Sequence, residues 1–337
     1  MLNKNRFGRC HILAEVSFFA VISAANHMEI REIEPYKNLQ FIARQIVEGY
    51  MVGLHKSPFH GFSVEFSEHR LYNSGESTKN IDWKLYGRTD RLFVKRFEEE
   101  TNLRCQIVLD TSSSMYFPAN GHADFENPDK ITFSAYASAV LIEILQRQRD
   151  AFGLAFLSDR IGFQSELRSS VTHQTYLLHH LDTLLKPYSP REDQRKATAL
   201  SESLHLLAER THKRSLFVIF TDAFMEKTEQ ERLFDALRHL RHNRHEVLLF
   251  HVFDGKKEVN LELGNRPYTL IDMETGRQLK LNPSEIAGKY RQLTLEHFEN
   301  LKNHALQYGI DYVAADINQN FGQIMQPYLL KRKKMLI

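Results

Sequence analysis

Residues 107–115 place one carboxylate and two hydroxyls directly after an apolar run. The apolar residues 107–109 predict the end of a buried strand, and Asp110, Ser112 and Ser114 follow at two-residue spacing. Carboxylate and hydroxyl oxygens are ligands that hard divalent cations prefer. Open α/β sheets bind ligands outside the carboxyl ends of their strands. The stretch therefore predicts a divalent-cation site at the carboxyl edge of a sheet.

Two further polar residues occur downstream, each at the end of a predicted element. Thr198 directly precedes a helical pattern at 199–210, and Asp222 directly follows an apolar strand pattern at 215–221. Because the carboxyl ends of parallel strands meet at one edge of a sheet, Asp222 is expected close to Asp110. An alternative is that the two serines after Asp110 only cap the next helix.

The three pieces in this order resemble the metal-ion-dependent adhesion site of von Willebrand factor A domains. In that family, the two serines and the threonine bind Mg²⁺ directly or through water, and the two aspartates hold the coordinating waters. The resemblance implies a site for Mg²⁺, or for Mn²⁺ or Ca²⁺, built from Asp110, Ser112, Ser114, Thr198 and Asp222.

The composition is that of an ordinary globular protein of 337 residues, with 42% apolar and 26% charged residues. The 44 basic and 42 acidic residues leave a net charge of +2, so no global field draws the chain to nucleic acid, and no nucleic-acid partner is expected. The two cysteines, Cys10 and Cys105, argue against a disulfide framework. Cys105 lies in a predicted core strand, which favours a reduced thiol and a cytoplasmic location.

The first 27 residues allow three interpretations. Lys4, Arg6 and Arg9 precede a mostly apolar run at 12–25, which is similar to a signal peptide, but Glu15 interrupts that run. The segment is also too short to cross a membrane, and no integral membrane segment is expected. The second interpretation is an amphipathic leader, and the third is an extension upstream of a true start at Met28. We favour the extension.

Residues 28–100 predict a small module of one helix and short strands. The helical period begins at Tyr36 and ends at Gly53, and strand-like runs follow at 62–66 and 91–95. From residue 101 onward, continuous apolar strands alternate with amphipathic helices, which is typical of an α/β domain with a mostly parallel sheet covered on both faces. This domain, 101–337, is expected to have a von Willebrand factor A-like, Rossmann-type fold. The strands are predicted at 104–110, 151–157, 215–221, 246–253 and 311–315, and the helices near 129–148, 174–185, 199–210, 229–241, 283–308 and 321–333.

The small module carries a second resemblance, at Gly75, residues 80–90 and residues 93–100. The run Ile81-Asp82-Trp83, a following arginine and a basic-then-acidic strand that leads into the Asp110 strand are similar to a bacterial family named domain of unknown function 58. That family combines these features with a von Willebrand-type domain. It is encoded beside MoxR-type AAA+ ATPases and is thought to help remodel or assemble other proteins.

From the residues alone, Trp83 is expected to anchor the core of the small module, and Asp82 and Arg88 to form a structural ion pair. The histidines are expected to be surface or satisfied core residues, because no acidic or cysteine partner stands at ligand spacing. Those considered are His179, His180, His205, His239, His242 and His245.

The leading functional hypothesis is a non-enzymatic, metal-dependent protein-binding domain. Neutral hydroxyl ligands leave the ion most of its charge, so an Asp or Glu of a partner protein can complete its shell. If that partner is the family's AAA+ ATPase or its client, the chain is an adaptor.

The rival hypothesis is a Mg²⁺-dependent hydrolase or phosphatase with Asp110 as nucleophile and Asp222 as metal ligand. Phosphatases that place an Asp at the end of the first strand carry a second acid two residues later, where this chain has Ser112. The sequence also names no phosphate-binding lysine and no general base. A third possibility, a structural subunit with a vestigial site, is opposed by the completeness of the ligand set.

Overall fold

The computed structural model describes most of the chain from residue 35 to residue 325. Several predictions lie outside the described residues: the leader at 1–27 with the start at Met28, the first residues of the 62–66 strand, Asp82, Thr198 and the end of the last helix. The described residues are 35–54, 66–71, 83–97, 103–118, 123–186, 200–225, 227–264, 266–274 and 276–325.

The elements follow each other in an order that agrees closely with the sequence pattern. The predictions for all five core strands are confirmed within one residue at each end, and three of the five agree at both ends. The elements are α1 (Pro35–Leu54), β1 (Phe66–Leu71), α2 (Trp83–Thr89), β2 (Phe93–Phe97), β3 (Arg104–Asp110), α3 (Lys130–Arg147), β4 (Ala151–Leu157), β5 (Ile161–Gln164), α4 (Val171–Leu184), α5 (Leu200–Arg210), β6 (Leu216–Thr221), α6 (Lys227–His242), β7 (Glu246–Phe253), β8 (Tyr268–Ile271), β9 (Gln278–Leu281), α7 (Pro283–Gln307) and β10 (Asp311–Asp316).

The main sheet has six strands in the order β10-β7-β6-β3-β4-β5. All neighbours are parallel except β4 and β5, which are antiparallel. Parallel strands need crossover connections, and the helices between them supply these connections. The predicted α/β fold class, a mostly parallel sheet with helices on both faces, is therefore confirmed.

The sheet is buried on both faces because its strands are apolar at nearly every position. Successive side chains point to opposite faces, so Leu109 and Phe220 enter one core whereas Val108 and Ile219 enter the other. The first core lies under α1, α3 and α4. The second lies under α5, α6 and the C-terminal half of α7. Among the described residues, the strand ends at the edges of the sheet are therefore the positions from which strand side chains can reach a ligand.

Helix α1 lies against α3 and α4. Its Leu39, Ala43 and Val47 recur at four-residue steps, which places them on one face, and all three are buried in the first core. The strands β1 and β2 that follow it form a separate antiparallel pair.

The sequence pattern did not predict three short strands. The edge strand β5 and the hairpin of β8 and β9 have four residues each and bury few side chains, so their apolar signal is weak. Trp83 is a clear correction: 62% of it is exposed, and no residue of α2 is buried. The expectation of a core anchor was therefore wrong, because this helix lies at the surface. Among the described residues, no helix has the length and apolar character that a membrane crossing requires.

Candidate functional site

The two predicted acids meet at the carboxyl edge of the sheet because β3 and β6 are neighbouring parallel strands. Asp110 is the last residue of β3, and Asp222 directly follows β6; both are buried. Thr221, at the end of β6, lies beside Asp110 and donates a hydrogen bond from its hydroxyl to Asp110 Oδ2 at 2.8 Å. The strand ends thus bring together groups that are 111 residues apart in sequence.

The loop after β3 turns back over the strand end and presents the two serines. The Ser112 amide donates to Asp110 Oδ1 at 2.9 Å, and the Thr111 amide donates to the Leu157 carbonyl at 2.7 Å. A short 3-10 turn at Ser113–Tyr116 follows. Its geometry brings the Ser112 and Ser114 hydroxyl oxygens within 3.0 Å of each other.

The serines do not have the capping role that the sequence left open. Ser112 precedes the 3-10 turn but its side chain makes no capping hydrogen bond there. The next helix, α3, is capped instead by Asp129, whose side chain accepts from the Thr132 amide at 2.8 Å. The Ser112 hydroxyl is therefore directed to Ser114 rather than to a helix end.

Asp110 lies in a strongly desolvated position. Burial raises the pKa of its carboxyl to about 7, and the nearby Asp222 carboxylate acts in the same direction. The hydrogen bonds from Ser112 and Thr221 oppose this shift. Since each oxygen of Asp110 already accepts a hydrogen bond, this side chain can hold the loop and the strand end in register.

Asp222 has a cation beside it that the sequence analysis did not assign to the site. The Lys130 ammonium donates to Asp222 Oδ2 at 2.8 Å, and only 1% of the lysine side chain is exposed. Burial alone would raise the pKa of Asp222, but the Lys130 charge and hydrogen bonds from Lys130, Ser114 and the Phe224 amide bring that pKa below its usual range. Asp222 is therefore ionised beside a permanent positive charge.

Lys130 contacts a second acid, Glu258. Its ammonium lies 2.5 Å from Glu258 Oε1, and the other Glu258 oxygen accepts from the Asp254 amide at 2.8 Å. Burial by itself would lower the pKa of Lys130, but the charges of Asp222 and Glu258 outweigh it and raise that pKa. Burial raises the pKa of Glu258, and the ammonium opposes the shift. Lys130 thus links the end of β6 to the helical turn at 255–259 that follows β7.

The hydroxyl spacing fits an octahedral Mg²⁺ ion. Two oxygen ligands at right angles, each 2.0–2.1 Å from the ion, lie roughly 3 Å apart. The Ser112 and Ser114 oxygens have this separation, at 3.0 Å, and Ser114 also bonds to Asp222. Four of the five predicted residues are thus brought together, and the donor set consists of hard oxygens; Thr198 lies outside the described residues.

The sequence reasoning missed Lys130, Glu258 and Thr221. One signal was present for Lys130: it is the first residue of a largely apolar and almost wholly buried helix, where a lysine requires a partner. For Glu258 no local signal existed, because the residue is 128 positions from Lys130.

The histidines are arranged as pairs and single buried rings. His205 and His239 face each other with their Nδ1 atoms 2.9 Å apart, and His245 is buried beside Ser215. Across the ranges that the structure describes, no group of three or more His, Cys, Asp or Glu side chains could hold a metal ion.

Known proteins resemble this chain over most of its length. An uncharacterized protein of Mycobacterium bovis is 24% identical over 251 residues, which cover 74% of this chain and 73% of the relative. An uncharacterized protein of Mycobacterium tuberculosis H37Rv matches to the same extent. Among solved structures, the conserved hypothetical protein BatB from Bacteroides thetaiotaomicron aligns with a TM-score of 0.42 at 15% identity, over 69% of this chain and 98% of that one. The VWA domain of SpRpn10 aligns with a TM-score of 0.30 at 15% identity, over 45% and 76%.

The family model described as "Protein of unknown function DUF58" matches residues 68–299, a range that includes most of the small β1–β2 pair, Lys130 and all five predicted site residues. Because this match spans more than half of the chain, the protein belongs to the DUF58 family.

Proposed function

We propose that this chain is a non-enzymatic adaptor that binds a partner protein through a divalent metal ion. One observation carries the proposal: two serine hydroxyls lie 3.0 Å apart beside two buried carboxylates at the carboxyl edge of a parallel sheet. This is the place where α/β sheets bind ligands, and the spacing suits Mg²⁺.

Each residue has a defined part in the proposed site. Ser112 and Ser114 would hold the ion directly, with Thr198 as a third hydroxyl, while Asp110 and Asp222 would hold its waters. When bound, Mg²⁺ supplies a positive centre that attracts an external carboxylate. Ser114 is only half-buried whereas Ser112 is fully buried, so a partner's Asp or Glu would approach from the Ser114 side.

The proposed partner is a MoxR-type AAA+ ATPase or a client of it, in the assembly or remodelling of other proteins. The family resemblance of the sequence supports this choice of partner. A cytoplasmic location is proposed with it, since the Cys105 thiol is fully buried in β3, as the sequence predicts for a reduced thiol.

The alternative, a Mg²⁺-dependent hydrolase with Asp110 as nucleophile, has one feature in its favour. A lysine does lie at the acid pair, although the sequence analysis found none. Two features weigh against the alternative: Asp110 has no exposed surface, and both of its oxygens already accept hydrogen bonds. A nucleophile must reach its substrate, so the geometry favours a positioning role for Asp110.

The test is calorimetric titration of Mg²⁺ and Mn²⁺ into metal-free protein. We expect one ion to bind per chain, and binding to disappear in the double variant Ser112→Ala/Ser114→Ala. Ser138→Ala is the control, because this serine is as buried as Ser112 but donates to the Ser134 carbonyl in α3. It should retain full binding.

A second arm uses the purified MoxR-type ATPase as the probe. We expect the two proteins to associate in Mg²⁺ and to separate when a chelator is added. Metal binding without association would reject this partner and leave the metal site intact. If the wild-type protein and the Ser138→Ala control bind no metal, the proposed function is wrong.

A further inference from the structure

We infer that Lys130 is a resident cation of the proposed metal site: its ammonium competes with the divalent ion for Asp222, and Glu258 holds the ammonium when the ion is bound. This inference rests on the proposed function, since it concerns the regulation of the same site. It differs from a purely structural role, because a structural ion pair would change stability without changing the affinity for metal.

The first argument is the position of the charge. Lys130 is 1% exposed, and its ammonium donates to Asp222 Oδ2, while the other Asp222 oxygen accepts from the Phe224 amide at 3.3 Å. Both oxygens of the acid that would hold the metal's water are therefore engaged. A divalent ion beside Ser114 would be close to the ammonium, and like charges at such a distance repel strongly where water is excluded.

The second argument is that the Lys130 ammonium is too buried to contact a partner protein directly. The ammonium is enclosed by Asp222, Glu258 and the ring of Phe117, whose centroid is 5.7 Å away. A carboxylate from another protein cannot reach it there. Its charge must therefore act on groups inside the protein.

The third argument is the second acceptor. Glu258 accepts from Lys130 with one oxygen and from the Asp254 amide with the other. Asp254 in turn accepts from the amides of Lys256 and Lys257 and from the Asn318 side chain. This turn is thus held in place by several bonds besides that to Lys130. When Asp222 is engaged with the metal's water, Glu258 remains as a fixed acceptor for the ammonium.

This geometry predicts that substitutions of Lys130 and Glu258 change the affinity for Mg²⁺ in opposite directions. Lys130→Met removes the competing cation at nearly the same length, so we expect Mg²⁺ affinity to rise by about tenfold or more. Glu258→Gln removes the negative charge that draws the ammonium away from Asp222, so we expect affinity to fall severalfold. Each change removes one partner of a buried charge, so both lower the stability of the metal-free protein.

The matched control is Glu143→Gln. Glu143 is a buried acid on the same helix as Lys130, and it pairs with Arg147 at 2.8 Å and accepts from Gln174 at 2.7 Å, away from the site. Its loss should lower stability to a similar degree and leave Mg²⁺ affinity unchanged. Affinities are measured by calorimetric titration with Mg²⁺, and stabilities by urea unfolding in a chelator.

The outcomes separate this inference from the proposed function. Measurable Mg²⁺ binding by the wild type and tighter binding by folded Lys130→Met support it. Wild-type binding with unchanged or weaker binding by Lys130→Met overturns this inference alone. If neither protein binds Mg²⁺, the proposed function fails and this inference with it. If Lys130→Met does not fold, Glu258→Gln decides: unchanged affinity overturns the inference, and reduced affinity with an unaffected Glu143→Gln control supports it.

Discussion

At the scale of single residues, Asp110, Asp222 and Lys130 share one water-poor edge of the sheet. Burial is the largest influence on each of them, and it acts against the charged form in every case. Only Asp222 and Lys130 overcome it, because they lie 2.8 Å apart. Asp110 does not pair with Lys130, and its pKa in the folded protein is about 7, well above its ordinary value. A carboxyl group with a raised pKa contributes stability that is fully present below its ordinary pKa and is lost as pH rises through 7.

His251 provides a residue-scale prediction with the opposite pH dependence. Burial lowers the pKa of this ring to about 3, and its Nδ1 lies 2.7 Å from the Tyr312 hydroxyl. A depressed histidine pKa gives stability that is present above the unfolded value of about 6.5 and is lost as pH falls toward 3. His251→Asn keeps an amide near Tyr312 but cannot titrate. We therefore expect the free energy of unfolding of this variant to depend less steeply on pH between those values, by up to about 1.4 kcal/mol per pH unit.

The measurement is the free energy of unfolding in urea at a series of pH values. The exposed His212 offers a control for the substitution of histidine by asparagine at the surface. An identical slope in wild type and His251→Asn would show that the buried ring does not resist protonation.

At the scale of elements, α3 positions a residue of the site, whereas α1 contributes to packing of the first core. Helix α3 begins at Lys130 with Asp129 as its cap, so the cap fixes the point from which the lysine side chain enters the acid cluster. Helix α1 supplies no site residue. It covers α3 and α4 with one apolar face, and its contribution is to the first core.

This packing predicts a large difference between two substitutions on α1. Leu39 is 1% exposed whereas Phe41 is 46% exposed. Leu39→Ala leaves a cavity between helices and should lower the free energy of unfolding by about 2–5 kcal/mol. Phe41→Ala should change it by less than about 1 kcal/mol. Urea unfolding of the two variants measures the difference, and equal losses would mean that α1 does not dock through the Leu39 face.

At the scale of the whole molecule, stability is expected to decrease from the centre of the main sheet outward. Strands β3 and β6 are paired on both sides and buried on both faces. Their amides can exchange with solvent only when the protein unfolds globally. The hairpin of β8 and β9 has two short strands, and its side chains are largely exposed, so it can open locally.

Hydrogen exchange followed by mass spectrometry tests this order. Peptides from β3 and β6 should exchange slowest, at a rate that follows global stability across urea concentrations. Peptides from 268–281 should exchange faster and independently of urea at low concentration. Equal protection of the hairpin and the central strands would contradict the proposed gradient.

The local order of residues determined most of the fold and part of the site. Continuous apolar runs predicted the parallel strands, since strands buried on both faces need such runs. The serines follow Asp110 within four residues, so one loop had to carry all three. Asp222 could be placed beside Asp110 because parallel strands end at a common edge.

Only the tertiary structure decided how the charges are balanced. Lys130 meets Asp222 across 92 residues and Glu258 across 128, and no local pattern encodes such pairing. The exposed position of Trp83 was likewise not evident, because aromatic character predicts burial only where a neighbouring element covers the side chain. Periodicity reports which face of an element avoids water, whereas the partner of a buried charge depends on which elements the chain brings together.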